Sequence, residues 1–158
     1  IRDCLLSREL GDVYKRQGIK DAAQKAVLNA NYLMEGLKEF YPVAYDRVCM
    51  HEFVLTLENL KHEKGVSAMD VAKAMLDYGI HPPTMYFPLI VHEDLMFEPT
   101  ETETKETLDE AIRVLGEIRQ IAEKDAQSLH EAPHKTIIGR VDEVRAARQP
   151  VLKYAFND

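Results

Sequence analysis

The segment Glu98-Pro99-Thr100-Glu101-Thr102-Glu103 sets carboxylates and hydroxyls close together in sequence, the residue types that donate, accept or share a proton. The same order also suits the start of a helix, where a hydroxyl caps free N–H groups and acids meet the positive end of the dipole. His81 lies between Gly79 and Pro82-Pro83. Its ring therefore either bonds the carbonyls of a helix end or serves a site. Cys49 and His51 are zinc-type ligands by chemistry, but the paired short spacings of a structural zinc site do not recur, so no metal is expected. His51, at the start of a strand-like run, reads as structural.

These groups must be positioned by the elements around them. Val27, Ala30, Leu33, Met34, Leu37 and Phe40 recur at steps of three and four, predicting a helix from about Ile19 to Phe40 that Pro42 ends. Asn29 and Asn31 are poor helix formers with no helix end to cap, so a contact with another domain is expected of their side chains. Phe53 to Leu57 is rich in strand formers, and polar Asn59 to Gly65 reads as a turn. Ser67 and Asp70 have capping-box spacing and Val66 and Val71 staple spacing, so a helix starts at Ser67. Its projection places Ala68, Val71, Met75 and Tyr78 on one face and Asp70, Lys73 and Asp77 on a wet face. Gly79 closes it. Leu95 to Glu98 reads as a strand, and Met85 to Phe87 as another that Pro88 confines to an edge. Thr102 or Thr104 caps a long helix with Leu108, Ala111, Ile112, Leu115, Ile118 and Ala122 in one arc. From Asp125 onward a single short helical pattern, about Val141 to Ala147, interrupts a loop-like tail. This order gives an α+β fold, with helices packed on one face of a small, mainly antiparallel sheet.

A chain of 158 residues with 46% hydrophobic and 30% charged content supports one domain with a real core. A formal charge of -7 argues against a nucleic-acid surface, which needs clustered positive charge. Cys4 and Cys49 lie far apart without a C-x-x-C, the usage of a reducing compartment. No apolar run approaches the roughly 18 residues of a membrane helix, and a cytoplasmic location is expected. Residues 1–17, ending in Asp12-Val13-Tyr14-Lys15-Arg16-Gln17, resemble the translation of a sequencing adapter and are expected to be a non-native, poorly packing segment. The alternative is a short helix with Leu5, Leu6 and Leu10 as its stripe.

The run His81-Pro82-Pro83-Thr84-Met85-Tyr86-Phe87-Pro88-Leu89-Ile90-Val91, followed by Glu98 to Glu103, has an order that no packing requirement asks for. Three further blocks accompany it: Ala26 to Leu33, Cys49 to Leu55, and the tail from Ala132-Pro133-His134 through Ala146-Ala147-Arg148-Gln149-Pro150-Val151-Leu152. Together they resemble the pyridoxal-phosphate-dependent glycine dehydrogenase (decarboxylating) family, the P-protein of the glycine cleavage system, and within it subunit 2 of the two-subunit form. The resemblance covers about Gly18 to Tyr154. It implies the small C-terminal domain of a fold-type I enzyme over residues 18–124 and a C-terminal arm over 125–158. It further implies decarboxylation of glycine with pyridoxal 5'-phosphate and transfer of the aminomethyl group to the lipoyl arm of the H-protein, in a hetero-oligomer with subunit 1. By the same resemblance, Glu98, Thr100 and Glu101 lie near the mouth of the site and, with His81, are the candidate site residues.

Imine chemistry requires a lysine beside a phosphate cradle of glycines or hydroxyls. The family's lysine and glycine-rich segment lie upstream of the matched blocks, and none of the eleven lysines here sits in such a motif. No cofactor-binding residue is therefore expected in this chain, which alone should be inactive and act as a lid. Two other readings stay open: the small domain of an aminotransferase or aldolase of the same fold type, and a non-catalytic assembly module. The lack of any arginine between Arg47 and Arg113 to clamp a substrate carboxylate, and the His-Pro-Pro-Thr block, count against the first.

Overall fold

In the computed structural model, residues 16–153 are described. The expectation for residues 1–17 falls outside them, save for the backbone of Arg16 and Gln17. Helix α1 (Arg16–Leu37) ends three residues short of the expected Phe40, in a turn over residues 38–40 that leads to Pro42. It buries Ala30, Leu33, Met34 and Leu37. β1 (Phe53–Thr56), β2 (Thr84–Met85) and β3 (Asp94–Phe97) form an antiparallel sheet of order β1-β3-β2, in register Phe53↔Phe97, Leu55↔Leu95 and Thr84↔Met96. β2 is an edge strand, as Pro88 requires. Phe53 and Phe97 stack with ring centroids 5.4 Å apart.

Helix α2 (Glu58–Lys64) replaces the turn expected over Asn59 to Gly65. Leu60 is its one buried residue, too little apolar signal for a helical period, while Gly65 closes it at φ 76 with its N–H on the Lys61 carbonyl. Helix α3 (Ala68–Leu76) starts at the predicted capping box, with Val66 and Val71 fully buried. Its end is a Schellman turn: the Gly79 N–H donates to the Leu76 carbonyl and that of Ile80 to Met75, Gly79 taking φ 74. The wet face expected there is not wet at Asp70, which is 3% exposed. Its carboxylate is satisfied by the Ser67 amide and hydroxyl and by Arg140, partners that a projection of one helix cannot reveal.

Helix α4 (Lys105–Lys124) is capped by Thr104 and lies along α1. The two approach closely because Gly36 faces Ile112 and Gly116 faces the Phe40 ring. Tyr41 is buried beside them, its hydroxyl donating to the Leu115 carbonyl at 3.0 Å. α5 (Ala126–Glu131), capped by Asp125, is a second helix in the stretch expected to hold one, and Leu129 and Ala132 join the core. After Pro133 the chain leaves the body, and α6 (Glu143–Arg148) buries nothing.

Candidate functional site at one end of the sheet

Because β1 and β2 both run antiparallel to β3, both begin where β3 ends. That single end therefore receives His51 and Glu52 ahead of β1, His81 three residues ahead of β2, and Glu98 to Glu103 after β3. The candidates His81, Glu98, Thr100 and Glu101, separated in sequence, are gathered there by topology. His81, Glu98 and Thr100 are exposed and Glu101 is half-buried.

Two helix asparagines fix two of the three loops that meet at this end, the acidic loop after β3 and the segment ahead of β1. Asn29 Nδ2 donates to the carbonyls of Thr100 at 2.8 Å and Glu103 at 3.1 Å. Asn31 Nδ2 donates to the Cys49 carbonyl at 2.8 Å, and its Oδ1 accepts the Cys49 N–H at 3.0 Å, as a neighbouring strand would. The contact with another domain expected for both is replaced by contacts inside this chain. Their signal was visible in the sequence as two poor helix formers in one helix, but the partner loops are distant in sequence. Within the acidic loop, the Thr100 and Thr102 hydroxyls lie 2.7 Å apart and Thr107 Oγ1 donates to Glu103 at 2.8 Å. Capping thus engages Thr104, Thr107 and Glu103, while the Glu101 and His81 side chains have no hydrogen-bond partner among the described residues.

His51, read as structural, is exposed, and its Nε2 lies 3.8 Å from Glu98 Oε1 and 4.0 Å from Glu52 Oε2. The three donor atoms fall within 4.8 Å of one another, a grouping that sequence spacing conceals because Glu98 comes from another strand. All three side chains are solvated, and at the surface such a grouping is accounted for by weak ion pairing.

The opposite end of the sheet carries the β2–β3 loop. Tyr86 at φ 57 and Glu93 at φ 48 frame it, and Phe87, Leu89 and Ile90 are exposed on it. Glu93 ties the loop to α3 by accepting the Ala68 N–H at 2.8 Å. Asp94 beneath it is fully buried, and neither carboxylate oxygen has a hydrogen-bond partner among the described residues. Burial pushes its pKa up, and the Asp94 and Phe87 amides, near the carboxylate but short of hydrogen-bond geometry, draw it only partly back.

Lys38, Lys64, Lys73 and Lys105 do not fit a covalent pyridoxal-phosphate site. Lys38, Lys64 and Lys105 are paired with surface acids. Lys73 borders a shallow cleft, but its neighbours there are Met69, Arg140, Val141, Asp142, Glu143 and Val144, with no glycine or hydroxyl to cradle a phosphate. No described helix is long and apolar enough to cross a membrane.

Residues 22–137 match the family model described as glycine dehydrogenase, C-terminal domain. Over 138 residues the chain is 59% identical to a Treponema denticola protein named "Probable glycine dehydrogenase (decarboxylating) subunit 2", a match covering 87% of this chain and 29% of that one. Proteins of the same name from Caldanaerobacter subterraneus and Thermosipho melanesiensis are 56% and 52% identical, over 87% and 89% of this chain and 28% and 29% of theirs. The chain thus spans less than a third of the length of these relatives. A small antiparallel sheet under helices and a family match across most of the residues agree: the chain belongs to the glycine dehydrogenase family, as its C-terminal domain.

Proposed function

We propose that this chain is the C-terminal part of a glycine-decarboxylating subunit 2, working in the cytoplasm with subunit 1 and delivering the aminomethyl group to the lipoyl arm of the H-protein. In that role it is a lid over a catalytic cleft built elsewhere. Pyridoxal phosphate would supply the electron sink for loss of carbon dioxide. The resemblance places its lysine upstream of the matched blocks, so this chain's contribution is positional and electrostatic. The observation that carries the reading is the sheet end itself, where Asn29 anchors the loop bearing Glu98, Thr100 and Glu101, Asn31 anchors the loop ahead of β1, and the chain after α3 brings His81 to the same end. Preorganised polar groups of this kind act on charge or protons without reorganising first. The exposed Phe87, Leu89 and Ile90 of the β2–β3 loop are the apolar surface that such a lid covers on closing against the rest of the subunit.

Glycine–bicarbonate exchange in the reconstituted two-subunit enzyme tests this. Alanine at His81 or Glu101 is expected to cut exchange about 100-fold or more for a group that handles a proton, with assembly intact. Full exchange in both variants, and in Glu98→Ala, would remove the sheet end from the site. Loss of assembly instead of rate would mark a structural role.

A further inference from the structure

After Pro133 the chain is rooted with unusual care and then left bare. The Asp77 carboxylate accepts the amides of His134 and Lys135 at 2.6 to 2.8 Å. Arg140 reaches back to Asp70 Oδ1 at 2.5 Å and to the carbonyls of Leu129 and Ala132 at 3.0 and 2.9 Å. Lys135 Nζ sits 5.2 Å from the Tyr78 ring centroid. The direction in which the arm departs is therefore set by buried or half-buried acids of α3 and its C-cap. Beyond that root, Ile137, Ile138, Val141, Val144, Val151 and Leu152 are all exposed, Ile137 completely. Within 136–153 four basic residues (Arg140, Arg145, Arg148, Lys153) outnumber two acids, Asp142 and Glu143, in a chain whose overall charge is -7. An aliphatic, basic segment with a fixed root and no cover is built to dock.

We propose that residues 136–153 dock against an acidic, apolar face on the part of the full-length subunit that precedes this domain. The proposal rests on the reading above that the chain is the C-terminal part of such a subunit, whose relatives extend far beyond the matched residues. The occupant follows from the size of the arm. Its one helix has six residues and buries nothing in the body, so an 18-residue segment must be ordered on binding for six aliphatic side chains. A free partner would add the loss of translational freedom to that cost, whereas a partner in the same polypeptide is present at high effective concentration. The basic side chains choose an acidic face and disfavour a basic one.

Hydrogen exchange tests the proposal, comparing the 158-residue chain with the full-length subunit. Amides of 143–149 are expected to exchange with little protection in the former and at least 100-fold more slowly in the latter, independent of protein concentration. Arg145→Glu with Arg148→Glu should remove most of that protection while leaving unfolding of the 158-residue chain unchanged, which shows that the body still folds. Absence of protection in the full-length subunit would overturn the proposal. Protection that appears only with rising concentration, or only on adding subunit 1, would also overturn it by assigning the arm to a second copy or to the other subunit. Glycine–bicarbonate exchange in the full-length subunit reconstituted with subunit 1 separates the two claims: protection without exchange leaves the docking and removes the activity, and exchange without protection does the reverse.

Discussion

Two side chains show how individual residues decide behaviour here. Asn31 pairs with both backbone groups of Cys49 and also donates to the Val27 carbonyl at 2.7 Å, so it spends every polar atom on holding one loop. Asn31→Ala leaves a half-buried N–H and carbonyl without partners, and should cost about 1–3 kcal/mol in urea unfolding despite the gain in helix propensity. Asp94 has the opposite sign. Its carboxylate is buried without a hydrogen bond and its pKa is raised, so the unfolded chain gives up this proton at lower pH than the folded one. Stability is therefore lost as pH rises from the ordinary aspartate range through the raised pKa. Asp94→Asn should remove that loss and raise stability at pH 7 by about 1–2 kcal/mol, read as a higher urea midpoint with unchanged slope. The sequence marked Asn29 and Asn31 as exceptional without saying where they point. Nothing in it marked Asp94, because burial of one strand residue depends on a loop folded over it.

Elements assemble through two junctions of different physics. Between α1 and α4 the contact is steric: a Cβ at position 116 would lie 2.9 Å from Phe40 Cζ and 3.1 Å from two other ring atoms. Gly116→Ala gains about 1 kcal/mol of helix propensity, but overpacking against a ring costs about 1–3 kcal/mol, so a net loss is expected in thermal unfolding. Between α3 and the tail the contact is electrostatic. Burial alone would raise the Asp70 pKa, but hydrogen bonds from Ser67 and the Arg140 guanidinium outweigh it and hold the carboxyl below its usual range. That stabilisation is present above the unfolded pKa of about 4 and fades as pH falls toward the lowered folded value. Arg140→Ala should flatten this acid limb and cost about 1–2 kcal/mol at neutral pH, at the low end for a buried pair because Arg140 stays a third exposed. Legibility follows the same division. The long helices, the capping box at Ser67 and the three strands were readable, since each repeats a period or carries a local cap. Helices α2 and α5 were not, because each offers one buried leucine, Leu60 or Leu129, and one residue defines no period. The sheet-end grouping of His81 with Glu98 to Glu103 needed the strand order, which periodicity does not contain.

At the scale of the whole molecule, ten of the sixteen exposed large apolar side chains among the described residues lie on the β2–β3 loop and along the tail, the other six being on α1 and in the segment ahead of β1. The relatives that share this domain are more than three times as long as the matched region. The proposed lid has two stabilities, one alone and one when covered, and substitutions on its covered face affect only the second. Phe87, Leu89 and Ile90 are 55%, 82% and 79% exposed in this chain. Changing all three to serine should therefore move the unfolding free energy of the 158-residue chain by no more than about 0.5 kcal/mol per site, with the framing residues Tyr86 and Glu93 left intact. In the full-length subunit the same triple change should cost about 1.5–3 kcal/mol for each side chain that is buried on closure, and should slow glycine–bicarbonate exchange by loosening that closure. Equal effects in the two proteins would mean that the loop faces solvent in both, and the apolar surface of the lid would then have to be sought elsewhere on the domain.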